Sequence, residues 1–334
     1  MDNLTHSMAG WVLGQAGLKT TTRKGLAALI LGANMPDIDV FFGNAPWDPL
    51  AIHRGFTHGL VGGVVIMPPI LAGLLWLLDR WQLSHDRQFK SGLPMRFGWL
   101  VLLCYLGAAT HPLLDLLTTY SVQLLSPFSN LWFHADGLFI IDVWLWLLLA
   151  MGIGVSKRRE QHGKEWRRLP QAVIGIVLAY IAINLVITQQ ANAAVRDWAG
   201  DREARSIFAS PPPAAFWRRD LVWREDGCYR RSHYDPLAGG FGTVTECQPA
   251  NMDDPIVREA IRRDPRLQKF LKWSILPQAE VIREKCSARV AIGDARYGKG
   301  RRSRLARESV IALSWPGCPP ALDKQPFEFI TAAS

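Results

Sequence analysis

The chain has 334 residues, enough for about two domains of roughly 150 residues each. Hydrophobic residues make up 49% of it and charged residues 20%, the net charge is +9, and the mean hydropathy is +0.05. This composition excludes a disordered chain. The averages describe neither half, because residues 1–190 contain long uncharged runs whereas residues 196–308 are crowded with Arg, Asp and Glu. That uneven distribution excludes a simple soluble enzyme.

Residues 1–190 are predicted to form an α-helical membrane domain. About 20 apolar residues suffice to cross a bilayer, and four stretches approach that length with no more than two ionisable residues each: 59–78, 97–117, 138–155 and 170–188. Residues 25–42 are a weaker fifth candidate. A large soluble helical core is the alternative, but buried soluble helices of this length normally keep a polar stripe. We therefore expect about four to five transmembrane helices.

The distribution of Lys and Arg in the short loops predicts the orientation, since these residues favour the cytoplasmic side. Loop 79–96 holds four of them and loop 156–169 holds six, whereas loop 119–137 has none. Alternation of the spans then places the rest of the chain after residue 188 outside the cytoplasm. The start of the chain lacks the basic region of a cleaved signal peptide, so the N-terminus is expected to be retained.

The C-terminal part is predicted to be a small soluble α+β domain at residues 211–334, joined to the membrane domain by a linker at 191–210. The linker ends at a run of three prolines after Ser210. Asp226-Gly227 lies between two strand-like runs and predicts a hairpin, while residues 279–292 alternate as a strand does. Residues 256–273 have the spacing of an amphipathic helix.

Four of the five cysteines lie in this soluble part, which the charge rule places in a compartment that can be oxidising. Two disulfides would fit, and proximity along the chain favours Cys228–Cys247 and Cys286–Cys318 among the three pairings. Four unpaired thiols are the alternative, and the sequence leaves both states open. Cys104 lies within a predicted span and is expected to serve packing.

The positive net charge does not predict a nucleic-acid partner. The cytoplasmic loops and Arg-rich patches such as 301–307 account for it, and the chain has no recognisable nucleic-acid motif. The partner that the sequence does predict is the lipid bilayer.

Seven histidines and aspartates lie in or beside the apolar segments. A carboxylate near the bilayer centre costs about 2.5–3.5 kcal/mol on insertion scales, so several of these groups should pair with one another, with water or with a cation. Neutral imidazoles cannot neutralise aspartates, whereas one or two divalent cations would satisfy both sets. The candidate metal ligands are His6, Asp37, Asp39, His53, His58, His111 and Asp115.

Pro36 breaks an apolar helix just before the first two carboxylates. Asp37 and Asp39 alternate, so in an extended turn both side chains would point the same way. Broken helices of this kind line cavities in membrane proteins.

The other candidate ligands come in two pairs. His111 and Asp115 are four residues apart and would share one face of a helix. His53 and His58 are five apart, and Gly55 between them permits a turn that could bring them together.

The chain resembles the YdjM-like family, described as LexA-binding, inner-membrane-associated metal-dependent hydrolases. Four ordered motifs carry the resemblance: Met1-Asp2-x-x-Thr5-His6, Asn34-x-Pro36-Asp37-x-Asp39, His53-Arg54-Gly55-x-Thr57-His58 and His111-Pro112-Leu113-x-Asp115-x-x-Thr118. It is firm over residues 1–150 and looser beyond them. Where the family usually has Pro after a later Asp, this chain has Val143 after Asp142.

The resemblance implies a metal-dependent hydrolase that spans a bacterial inner membrane several times. It also implies a cytoplasmic contact with LexA, which we do not predict because only loops lie on that side in our topology; the protein partner is left unknown.

The sequence favours a hydrolase that uses a metal-activated water on an amphiphilic or lipid-like substrate, with a phosphoester first and an ester or amide second. Zinc is the favoured cofactor and manganese the alternative, as one or two ions. Asp37 would be a ligand or the general base, and Arg54 could stabilise an anionic oxygen.

Two other functions stay open. Intramembrane ionisable groups also mark metal and proton transporters, although no second copy of these motifs points to an inverted repeat. A structural or regulatory membrane protein held together by a metal is the other alternative, with a partner bound through aromatics such as Trp217 and Trp223.

Overall fold

The computed structural model of the chain describes residues 1–42, 54–89, 91–298 and 307–312. It divides into two compact units, Met1–Cys247 and Gln248–Ser334. The division predicted from the sequence, with a membrane domain at 1–190, a linker at 191–210 and a soluble domain at 211–334, stays a prediction.

The first unit begins with six α-helices. They are α1 (Asn3–Gln15), α2 (Gly25–Asn34), α3 (Met67–Ser84), α4 (Phe97–Leu116), α5 (Val143–Gln161) and α6 (Arg168–Ala199). A π-helical stretch, Leu60–Ile66, runs into α3, and short 3-10 helices cover Leu18–Thr20, Met35–Phe42 and Phe56–His58. The predicted helical N-terminal part is therefore confirmed.

Three helices in the described part of the chain are long and apolar enough to cross a membrane: Leu60–Ser84, Phe97–Leu116 and Arg168–Ala199. The predicted total of four to five spans is not confirmed. α5 has 19 residues, but its last turn is charged, and α2 has only ten residues before the 3-10 helix that follows it. Length and composition therefore support three of the expected spans.

Helices α1, α2 and α4 approach each other until their backbones touch at glycines. A Cβ atom on Gly10 or on Gly107 would lie 2.5 Å from the carbonyl oxygen of Leu29, and one on Gly32 would lie 2.8 Å from that of Cys104. Small residues permit such close crossings between helices that have no apolar driving force for association in lipid. Cys104 itself is buried among these helices and is a free thiol, as its predicted packing role requires.

An antiparallel sheet follows the helices, and four of its five strands lie in the same unit. Its order is β1 (Arg205–Ser210), β2 (Arg219–Glu225), β3 (Cys228–Asp235) and β4 (Gly240–Phe241). The predicted hairpin is confirmed, because Glu225 pairs with Cys228 around Asp226 and Gly227, both of which have positive φ. Trp223 is fully buried, so it cannot offer the exposed contact suggested for it from the sequence.

Buried Arg219 ties the sheet to α6. Its guanidinium donates to the Thr188 hydroxyl (2.8 Å) and the Asn184 carbonyl (2.6 Å) on the helix, and to the carbonyls of Phe216 and Arg218. Burial lowers the pKa of Arg219 to about 10. All of these acceptors are neutral, so this residue holds the helix and the sheet in place through hydrogen bonds rather than an ion pair.

The second unit contains a short strand, two helices and a three-stranded antiparallel sheet. They are β5 (Gln248–Pro249), α7 (Pro255–Arg263), α8 (Pro265–Trp273), β6 (Pro277–Arg283), β7 (Ser287–Asp294) and β8 (Arg307–Ala312). The prediction of one amphipathic helix over 256–273 was wrong. Pro265 disfavours helical backbone at Asp264, which lies in the extended region and caps α8 instead.

A disulfide joins Cys228 and Cys247, whose Cα atoms are 5.6 Å apart. This confirms the first favoured pairing. The second, Cys286–Cys318, includes a residue outside the described ranges.

Candidate metal centre

The C-terminal end of α4 contributes two of the predicted ligands. His111 Nε2 and Asp115 Oδ2 lie 3.3 Å apart on one helical face, as the four-residue spacing predicts. The helix continues through Pro112 to Leu116. Both side chains are almost fully buried.

α1 brings His6 against this pair. The rings of His6 and His111 stack with centroids 3.8 Å apart, and His6 Nε2 lies 3.6 Å from Asp115 Oδ1. Asp2 begins the helix by accepting the backbone N–H groups of Leu4 and Thr5. The N-cap therefore sets where α1 starts and, one turn later, where His6 points.

The segment after α2 contributes Asp37. Here the chain forms a 3-10 helix, Met35–Phe42, rather than the extended turn expected from the sequence, because Pro36 is accepted in the first turn of a helix. Asp37 Oδ1 lies 3.1 Å from His58 Nε2 and 3.6 Å from His111 Nε2. His58, from the 3-10 turn Phe56–His58, thus bridges the two aspartate-bearing segments, with its Nε2 also 3.5 Å from Asp115 Oδ2.

Asp39 lies at the edge of this cluster. Its Oδ2 accepts a hydrogen bond from the Thr57 hydroxyl (2.6 Å) and lies 3.6 Å from His58 Nδ1. Thr57 is a residue whose role the sequence reasoning missed, although it stands in the motif beside His58. The carboxylate of Asp39 therefore faces the opposite ring nitrogen of His58 from the one that faces Asp37.

Arg54 reaches the cluster from the other side. Its Nη1 lies 3.1 Å from Asp115 Oδ1, and the amino group of Met1 contacts the same oxygen. The guanidinium also lies over the Tyr120 ring, 5.4 Å from its centroid. The cluster thus holds three buried carboxylates against one guanidinium and one amino group, so its carboxylates outnumber its cationic groups.

The donor atoms fit a divalent cation. Two overlapping groups, His6–His111–Asp115 and Asp37–His58–His111, each offer ligand atoms within 4.8 Å of one another. Within the described residues, both nitrogens of His6, Nε2 of His111, Oδ2 of Asp37 and Oδ2 of Asp115 are buried without a hydrogen-bond partner. Buried polar atoms are normally satisfied, and imidazole with carboxylate is a donor set typical of zinc and manganese.

A hydrogen bond to the backbone fixes which ring nitrogen of His111 faces the cluster. Its Nδ1 is 2.7 Å from the carbonyl oxygen of Ala33, so Nδ1 carries the proton and Nε2 presents its lone pair to the cluster. Because both groups need that single nitrogen, they describe neighbouring positions rather than two independent sites.

His53 and Asp142 were also singled out from the sequence. His53 lies outside the described residues. Asp142 caps α5 by accepting the Leu145 N–H (2.9 Å) and is 3.0 Å from the Tyr180 hydroxyl, which donates to it. Asp142 is therefore a helix cap, and a cap tolerates Val143 at the position where the family has proline.

Comparison with known proteins agrees with the membrane assignment. The "Uncharacterized protein YfhP" of Bacillus subtilis (strain 168) is 23% identical over 311 residues, which cover 89% of this chain and 87% of that protein. No solved structure matches the chain. The family model described as "YdjM inner membrane protein" matches residues 1–191, more than half of the sequence. Neither comparison addresses LexA binding or hydrolysis, but the match establishes that the chain belongs to the YdjM inner membrane protein family.

Proposed function

We propose that this protein is a membrane-bound, metal-dependent hydrolase. The observation that carries the proposal is the convergence of five buried histidines and aspartates from four segments of the chain, with unpartnered atoms on His6, Asp37 and His111 among them. A purely structural polar cluster would satisfy those atoms internally. Ligands left open toward a common point instead favour a bound cation.

Each residue has a proposed part in the reaction. His6, Asp37, His58, His111 and Asp115 would hold one or two ions, zinc by preference and manganese otherwise. A divalent ion there would supply a Lewis acid for a substrate oxygen and would make water a nucleophile near neutral pH. Arg54 would bind an anionic substrate oxygen, and Asp37, whose Oδ2 is unpartnered, would accept a proton from the attacking water.

The position of the cluster supports an amphiphilic substrate. His58 lies two residues before the span that begins at Leu60, and Asp115 is one residue from the end of the span that finishes at Leu116. Both therefore lie at one end of their spans, at the depth of lipid headgroups. A lipid phosphoester is the substrate class we favour, with lipid esters or amides second.

Helix polarity supports a cluster on the non-cytoplasmic side. The Leu60–Ser84 span ends, and the Phe97–Leu116 and Arg168–Ala199 spans begin, beside basic loops. Basic loops favour the cytoplasm, so the other ends, where the cluster and the sheet of the first unit lie, would face outward. The Cys228–Cys247 disulfide in that sheet fits an oxidising compartment.

Metal analysis tests the proposal most directly. We expect the full chain, purified in detergent and supplied with zinc or manganese, to retain stoichiometric metal, and His58→Ala with His111→Ala to lose it. The matched control is His85→Ala with His162→Ala, which removes two exposed histidines outside the cluster. Metal-free wild type that is well folded, or equal metal loss in both variants, would refute the proposal.

Turnover distinguishes hydrolysis from the alternatives. The loaded protein in vesicles that contain phosphatidic acid should release phosphate, whereas the His58→Ala, His111→Ala variant should not. Metal uptake into the vesicles without release of phosphate, and without cleavage of ester or amide lipids, would identify a transporter instead.

A further inference from the structure

The loop after α4 carries an unusual set of exposed apolar side chains. Residues 116–135 contain no Asp, Glu, Lys or Arg. Within this stretch Phe128 is 86% exposed, Leu131 is 65% exposed and Leu125 is 43% exposed. Single exposed apolar residues are ordinary on a protein surface, but three in one uncharged loop indicate a surface that meets something apolar.

These apolar side chains are exposed on a loop whose backbone is held by hydrogen bonds. Val122 and Phe133 close the loop as an antiparallel bridge with two backbone hydrogen bonds of 2.9 Å. Inside it, the N–H groups of Phe128 (2.9 Å) and Ser129 (3.2 Å) both donate to the carbonyl oxygen of Leu125. The apolar side chains at the tip are therefore presented by a hydrogen-bonded turn, and the turn itself does not bury them.

The same loop is joined to the segment that carries Arg54 and His58. The backbone N–H of Gln123 donates to the carbonyl of Arg54, and that of Leu60 donates to the carbonyl of Leu124, each at 2.9 Å. Leu60 begins one span, and the loop starts five residues after another span ends at Leu116. The loop therefore lies where two spans leave the membrane, next to the candidate metal centre.

We propose that the 121–133 loop inserts its tip, Leu125, Phe128 and Leu131, into the headgroup and upper acyl region of the bilayer beside the metal centre. Lipid is the occupant that its position indicates, because the loop continues from two membrane spans and has no charge to hold it in water. Tyr120 and Trp132 flank the tip with the amphipathic aromatic rings typical of membrane interfaces. The insertion requires neither a particular orientation of the chain nor an enzymatic activity.

The consequence for catalysis does rest on the proposed function. A loop anchored in this way would keep the metal centre level with lipid headgroups, so that a phosphoester would be reached from the plane of the membrane rather than from bulk water.

Depth-dependent fluorescence quenching tests the insertion. An environment-sensitive fluorophore is attached to Phe128→Cys and, separately, to Leu131→Cys in the full chain, reconstituted in phosphatidylethanolamine and phosphatidylglycerol vesicles. We expect a blue-shifted emission at both positions, and quenching by nitroxide lipids several-fold stronger than at Leu237→Cys. Leu237 is the matched control because it is 78% exposed in the turn between β3 and β4. The unsubstituted chain, labelled in parallel, gives the background from its native thiols.

Two outcomes of the quenching experiment would contradict the insertion. Equal, weak quenching at all three positions, with emission typical of water, would overturn the insertion. A blue shift without quenching by lipid would also overturn it and would assign the tip to a protein contact. Metal content is also measured on the labelled proteins. Because a loop that stays in water leaves the metal centre intact, weak quenching together with retained metal would reject the insertion but not the proposed function.

Discussion

At the scale of single residues, one carbonyl group determines what His111 can do. The last turn of an α-helix leaves backbone carbonyls without helical partners. The carbonyl of Ala33, near the end of α2, accepts a hydrogen bond from the Nδ1–H of His111 at 2.7 Å. The opposite nitrogen, Nε2, then presents its lone pair to the space that it shares with the carboxylates of Asp37 and Asp115. The end of α2 thus orients a ligand that belongs to α4.

A second residue-scale contact governs the response of the second unit to acid. Asp294 and Arg296 are fully buried, with Asp294 Oδ1 and Arg296 Nε 2.8 Å apart. Burial alone would raise the pKa of Asp294, but the Arg296 charge and several hydrogen bonds outweigh it and hold the pKa below its ordinary value. A lowered folded-state pKa contributes stability above the unfolded pKa, and this contribution is lost as the pH falls through the folded pKa.

We therefore expect the β6 and β7 amides to lose hydrogen-exchange protection between about pH 5 and more acidic conditions. Asp294→Asn should lower the free energy of opening at neutral pH by about 3–5 kcal/mol, because it leaves the Arg296 charge buried without its partner. The substitution should also remove most of the pH dependence of the hydrogen-exchange protection. Glu259→Gln is the control: it breaks ion pairs with Arg262 and Arg263 at the surface of α7 in the same unit, and surface pairs contribute only about 0–1 kcal/mol, so it should change little. An unchanged acid profile in Asp294→Asn would contradict this assignment.

At the scale of elements, contact between helix backbones assembles the metal centre. His6, Asp37 and His111 lie on or just after α1, α2 and α4, the three helices that touch through Gly10, Gly32 and Gly107. Larger residues would separate these helices, and the stacked rings of His6 and His111 leave little tolerance for separation.

Gly107→Ala should therefore lower stability and weaken metal retention together. The added Cβ would lie 2.5 Å from the Leu29 carbonyl oxygen, an atom of a helix backbone that cannot move alone, so we expect a loss of about 1–3 kcal/mol. Gly98→Ala on the same helix is the control, since its Cβ would meet no heavy atom within 4 Å among the described residues. Thermal unfolding and metal analysis of both proteins measure the difference, and equal behaviour would show that close helix contact does not shape the site.

At the scale of the whole molecule, charge distribution predicts which side each end of the helices faces. We expect alkaline phosphatase fused to the C-terminus of the full chain to be active, because the last span should deliver the following residues outside the cytoplasm. The same reporter inserted within 162–167, inside the basic loop 156–169, should be inactive. The reverse pattern would place the metal centre on the cytoplasmic side and would overturn that part of the proposed function.

The sequence alone predicts much of the candidate site, because its signals are local. The four-residue spacing of His111 and Asp115, the proline before Asp37 and the runs of apolar residues can each be interpreted within one helical turn or one span. The Asp226-Gly227 hairpin and the Cys228–Cys247 pairing are local in the same sense. The single helix predicted over 256–273 is wrong for a local reason too, because Pro265 disfavours helical backbone at Asp264.

The sequence by itself determined the residue types, the apolar spans and the motifs that relate this chain to its family. Only the tertiary structure decided that Asp142 accepts a hydrogen bond from Tyr180, that Thr57 supports Asp39, that Ala33 fixes the tautomer of His111 and that Phe128 is exposed beside the centre. The physical reason is distance along the chain. Hydrogen bonds and ring contacts act over a few ångströms in space, and these join segments up to 78 residues apart in sequence, which no local pattern records.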